Sequence, residues 1–79
     1  MGDVIEQFAV GSMSILRRRR FGVDRLYVEG SAGHQIGWVD LTTGERVLES
    51  TDDEELFERA VAEWPAVLPL GQAIAAGGH

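Results

Sequence analysis

The chain has no cysteine and no lysine, and only two histidines, one of them the last residue. Without cysteine, disulfides and thiolate zinc sites are excluded outright. Two histidines leave little material for a structural metal. No apolar run approaches the ~18 residues that a membrane-spanning helix needs. The N-terminus does not read as a secretory signal either, since it opens with Asp3 and Glu6 and its arginines follow the apolar part. A cytoplasmic location without membrane contact is the expectation. All seven basic residues are arginine, as the codon bias of a GC-rich bacterial genome would give.

What is present describes one small globular domain. Seventy-nine residues, 44% hydrophobic and 25% charged, bury a modest core and resemble neither a disordered nor a fibrous chain. With disulfides and metals set aside, a partner chain is the most accessible source of added stability.

The net charge of −6 is unevenly spread. Residues 1–48 hold six acids and six arginines, whereas residues 49–63 hold seven acids against Arg59. Within the neutral part, residues 13–28 carry five arginines against Asp24. Such a dipolar chain suits an acidic partner or a second copy of itself.

The clearest pattern runs from Asp24 to Glu49, DRLYVEGSAGHQIGWVDLTTGERVLE. Alternation places Leu26 and Val28 on one face and Tyr27 on the other. Gly30 to Gly33 fits a hairpin loop. Alternation then sets Ile36, Trp38 and Asp40 against Gly37, Val39 and Leu41. The stretch from Asp40 to Glu45 reads as a tight turn with Gly44 in the left-handed region, and Val47 and Leu48 close a third strand.

Downstream, Ser50-Thr-Asp-Asp-Glu-Glu55 reads as a helix start, with Thr51 and Glu54 spaced as a capping box. Leu56, Phe57, Ala60, Val61 and Trp64 form one apolar stripe, which Pro65 ends. The expected fold is therefore α+β: a three-stranded antiparallel β-meander with a C-terminal α-helix packed on one face. The segment before the meander adds an N-terminal helix or strand to this expectation. Val4, Ile5 and Phe8 have helical spacing, while Met13–Phe21 reads as either state. Gly11-Ser12 before Met13 resembles a cloning junction, so residues 1–12 are set apart as a leader, 13–70 as the domain and 71–79 as a flexible tail.

No catalytic, cofactor-binding or metal-binding signature is present, so no enzyme and no cofactor is expected. His34 among scattered carboxylates reads as surface polarity. Asp52, Asp53, Glu54 and Glu55 read as a solvated first helical turn rather than an acid–base pair. Trp38 and Trp64 suit a core. The candidates for binding are Arg17, Arg18, Arg19, Arg20 and Arg25, with Tyr27 and Trp38 as aromatic neighbours. Clustered arginines neutralise phosphates and aromatic rings stack on bases, which supports a nucleic-acid-binding reading centred on Arg17–Arg20. The overall negative charge opposes it. The leading expectation is a non-enzymatic, self-associating or accessory protein-interaction module. A sheet covered by one helix leaves its second face open, and an open apolar face marks a partner site.

Arg20-Phe-Gly-Val-Asp-Arg-Leu-Tyr-Val28, followed by Gly37-Trp-Val-Asp-Leu-Thr-Thr-Gly44, resembles a small region that precedes the nuclease-related (NERD) domain in actinobacterial proteins. The likeness covers about residues 16–64. It implies an accessory module, free-standing or attached to a longer protein. Nuclease activity is not implied, since that family's nuclease domain uses acidic residues with a lysine and this chain has none.

Overall fold

The computed structural model describes residues 4–70. Five strands form one antiparallel sheet in the order β1-β2-β3-β4-β5, each beside its sequence neighbour. They are β1 (Val4–Val10), β2 (Met13–Arg20), β3 (Val23–Glu29), β4 (Gln35–Asp40) and β5 (Arg46–Leu48). A 3-10 turn (Thr51–Asp53), helix α1 (Glu54–Glu63) and a second 3-10 turn (Trp64–Ala66) follow. The expected α+β class and the meander β3–β5 are present; the expected count of three strands is corrected to five.

The two additional strands have a local cause. In β1, Phe8 and Val10 are buried while Ile5, Gln7 and Ala9 are exposed, so the segment has a period of two. The helical spacing of Val4, Ile5 and Phe8 is therefore not used, since Ile5 and Phe8 lie on opposite faces of the strand. β1 pairs with β2 from Val4↔Arg19 to Val10↔Met13, across a link of only Gly11 and Ser12. Residues 4–10, set apart from the domain on sequence grounds, thus supply Phe8 and Val10 to the core. The tail reading of residues 71–79 lies outside the described residues.

The core lies between the sheet and α1. Met13 and Ile15 from β2, Leu26 and Val28 from β3, and Val39 from β4 meet Phe57 and Ala60 of the helix. Phe57 sits directly over β4 at Gly37. A Cβ on Gly37 would lie 2.5 Å from the Val47 carbonyl oxygen and 2.9 Å from Phe57 Cε1, so only glycine lets the ring seat there. Burying Phe57 contributes about 1.5–3 kcal/mol. At the far edge, Trp64 packs edge-on against Phe8, with centroids 5.3 Å apart.

Three details depart from the sequence reading. The register shifts between Val28 and Glu29, leaving Ile36 without an opposite residue, and the bulge turns Ile36 into the core instead of beside Trp38. Leu56, expected in the apolar stripe, is 38% exposed. The Thr51–Glu54 capping box is not formed: the chain enters α1 through the 3-10 turn, and Ser50 Oγ donates to Asp53 Oδ2 at 2.7 Å. The turn at Gly44 is as expected, with φ +84°. There Asp40 Oδ1 accepts the amides of Thr42 and Thr43 at 2.9 and 3.0 Å. Pro65 also acts as expected, with α1 giving way to the second 3-10 turn at Trp64.

Candidate partner-binding face

Strand pairing fixes which side chains share the face that α1 leaves uncovered. One row across the sheet reads Gln7, Leu16, Tyr27, Trp38 and Val47. The next reads Ile5, Arg18, Arg25 and Asp40. The first row is apolar and half-buried from Leu16 to Val47, and the second carries two guanidinium groups beside it. Arg20 extends the basic row toward the β2–β3 turn. Cross-strand neighbours on one face lie about 4.5–5.5 Å apart, so these side chains form a continuous surface.

The aromatic and basic groups interlock. The Arg25 guanidinium lies 4.3 Å from the Trp38 ring centroid, a cation–π arrangement. Its Nε also reaches Asp40 Oδ2 at 3.4 Å. Hydrogen bonding to Tyr27, then to Asp40, holds the Arg25 pKa above its ordinary value. Asp40 is held below the usual carboxylate value by the Thr43 and Thr42 amides and by Arg25. Arg25 is thus a fixed charge, with Tyr27, Trp38 and Asp40 as its frame.

The run Arg17–Arg20 does not act as one cluster. Alternation along β2 sends Arg17 and Arg19 to the helix-covered side and leaves Arg18 and Arg20 on the open side. Arg17 clamps Asp24 with two hydrogen bonds, Nε to Oδ1 at 3.0 Å and Nη2 to Oδ2 at 2.8 Å. That clamp raises the Arg17 pKa and lowers that of Asp24. Glu6 lies between Arg17 at 3.7 Å and Arg19 at 3.6 Å, and Arg17 also stacks 5.6 Å over Trp64. Two of the four arginines are therefore paired with acids on the helix-covered side, Arg17 half-buried and Arg19 exposed. Of the sequence candidates, Arg18, Arg20, Arg25, Tyr27 and Trp38 come together, while Arg17 and Arg19 do not join them.

The same face includes groups the sequence reading gave little weight. β2 and β3 are joined by Phe21-Gly22, with φ of +51° and +80°. Positive φ at both central residues is the type I′ hairpin pattern, which favours asparagine or glycine first. Phe21 instead occupies that position, with 83% of its surface exposed. A bulky side chain held in this region costs on the order of 1–3 kcal/mol. Arg20 stacks 5.2 Å over its ring. Behind it, a concavity of about 390 Å³ is lined by Arg18, Arg20, Phe21, Val23, Arg25 and Tyr27. The signal for this end was the FG dipeptide between two alternating segments.

At the other end of the sheet, His34 Nε2 meets Asp53 Oδ2 at 2.9 Å. The His34 contact first, and the Ser50 hydroxyl second, hold Asp53 below the usual carboxylate value. Ser50 donates to Asp53 rather than to His34, so the trio fastens the β3–β4 loop to the helix start without activating a nucleophile. Among the described residues, no group of three or more His, Cys, Asp or Glu is placed to hold a metal ion. No helix among them is long and apolar enough to cross a membrane. No family model, no curated protein and no solved structure matches the chain.

Proposed function

We propose that this chain is a non-enzymatic interaction module that holds an acidic protein segment on the open face of its sheet. The observation that carries the reading is the half-buried apolar row Leu16–Tyr27–Trp38–Val47 on the face opposite α1, bordered on one side by Arg18, Arg20 and Arg25. An apolar row alone would suit many occupants; the adjacent arginines select an anionic one through charge complementarity. The pairing of Arg17 and Arg19 with Asp24 and Glu6 favours protein over nucleic acid, because it breaks up the run of cations that a phosphate backbone would contact. The likeness to a region that precedes nuclease-related domains is compatible with an accessory role of this kind.

A second reading rests on one specific observation. Tyr27, Trp38 and the exposed Phe21 are interleaved with arginine, as in surfaces that stack single-stranded bases. Fluorescence anisotropy separates the two readings. The probes are a labelled short peptide of glutamate and leucine and a labelled single-stranded oligonucleotide of equal charge. The expected result is saturable peptide binding that is lost in Arg20→Gln/Arg25→Gln, with little oligonucleotide binding at near-physiological salt. Oligonucleotide binding with a steep salt dependence, and none of the peptide, would reverse the assignment.

A further inference from the structure

The molecule carries a complement to its own basic end. Asp52, Glu54 and Glu55 are exposed at the start of the helix, next to Leu56 at 38% exposure. Among the described residues, Asp52, Glu54 and Glu55 have no ion-pair partner, whereas Asp53, Glu58 and Glu63 are paired to His34, Arg46 and Arg59. The helix start lies beside the β3–β4 loop, through His34 and Asp53. The Phe21-Gly22 tip lies at the opposite end of β3, a seven-residue strand and thus about 20 Å away. Acidic-apolar and basic-aromatic surfaces therefore stand at opposite ends of one sheet and cannot satisfy each other within one chain.

We infer that the acidic segment received by the open face is supplied by a second copy of this chain. The first helical turn of one molecule, Asp52 to Leu56, docks against the hairpin tip of the next, with Phe21 meeting Leu56 and Arg20 and Arg25 facing the carboxylates. This rests on the functional reading above and names its partner. Because the two patches differ and lie at opposite ends, the contact is head-to-tail and each added copy presents a fresh tip. Phe21 fits this role: its backbone conformation and its exposure both oppose folding, and burial against Leu56 in the neighbour recovers the apolar contact.

Sedimentation velocity tests the inference with two variants that each disable one end. Arg20→Gln/Phe21→Asn removes the tip while supplying a residue the turn favours. Asp52→Asn/Glu54→Gln/Glu55→Gln removes the acidic end. Circular dichroism confirms that both remain folded, and Glu55→Gln alone serves as the milder acidic-end variant. At low salt the unaltered chain is expected to rise with concentration from its 8.6 kDa monomer mass to twice that and beyond. It should return to monomer at about 1 M salt, where charges are screened beyond ~3 Å. Each variant alone stays monomeric, and a mixture of the two stops at a dimer, since one intact tip meets one intact helix start. A wild-type chain that remains at 8.6 kDa throughout overturns the inference, as does a tip variant that associates like wild type. If that wild-type chain still binds the acidic peptide, only the identity of the partner is wrong; if it binds neither, the functional reading fails as well.

Discussion

The two faces of this sheet are made by the same strands and the same alternation, yet they perform opposite tasks. On the helix side, Phe8, Met13, Ile15, Leu26 and Val28 are at most 4% exposed beneath Phe57 and Ala60. On the other side, Leu16, Tyr27, Trp38 and Val47 form an equally continuous row that α1 does not cover, with Leu70 beside it near Leu16. Charge follows the two faces less cleanly, since Arg25 on the open side is itself paired with Asp40. Arginines on the helix side are neutralised by Glu6 and Asp24, while Arg20 on the open side is stacked on Phe21 and has no ion-pair partner among the described residues. One face holds the fold together; the other is the one to which the proposed partner contact is assigned.

Breaking the helix side should have the largest effect. Phe57→Ala removes the side chain that joins α1 to β4 and should cost about 3–5 kcal/mol, enough to unfold much of so small a domain in a urea titration. Gly37→Ala attacks the same contact from the sheet, because its methyl group would meet the Val47 carbonyl and the Phe57 ring. It should lower the thermal midpoint, and Phe57→Leu, with a smaller ring position to fill, should partly restore it.

The open face should respond differently. Trp38→Ala removes a half-buried ring and should cost only about 1–2 kcal/mol of stability. It should nevertheless abolish peptide binding, because Arg25 loses its stacking partner. Phe21→Asn goes further in the same direction. It should raise stability by about 1 kcal/mol, read as a higher denaturation midpoint, while weakening binding. A variant at this turn that lost stability and kept binding would remove the distinction between the faces.

Acid sharpens the comparison with a smaller effect. Asp24 is held below its ordinary pKa of 3.8, first by the hydrogen bonds from Arg17. The unfolded chain therefore takes up this proton first as pH falls. The stabilisation is complete above the ordinary value and is lost as pH drops through the folded one. Asp24→Asn should flatten that acid limb of the stability curve, leaving the peptide affinity at neutral pH nearly unchanged.

Much of this architecture was legible in the sequence where pattern and turn chemistry agreed. The alternation Leu26–Tyr27–Val28 and the Asp40–Gly44 turn each had one consistent reading, and each holds; the stripe Leu56, Phe57, Ala60, Val61 and Trp64 holds apart from the exposed Leu56. β1 and β2 were not resolved because Val4, Ile5 and Phe8 have helical spacing although Ile5 and Phe8 fall on opposite faces of the strand, and because four successive arginines carry no hydrophobic contrast. Ile36 was placed on the wrong face because a bulge is a property of the pairing, invisible in either strand alone. The site was half visible. Arg18, Arg20, Arg25, Tyr27 and Trp38 stood out by type, but the division of the arginine run required the strand assignment of β2. Phe21 carried a signal in its FG turn that only its φ and its exposure make meaningful.

The most direct test of the division between the faces is residue-resolved. Amide chemical shifts of the labelled protein would be followed while the glutamate–leucine peptide is added. The account predicts shifts concentrated at Leu16, Arg18, Arg20, Phe21, Arg25, Tyr27, Trp38 and Val47, with the amides of Phe57 and Ala60 nearly still. Shifts centred on α1, or spread evenly over both sides of the sheet, would contradict it.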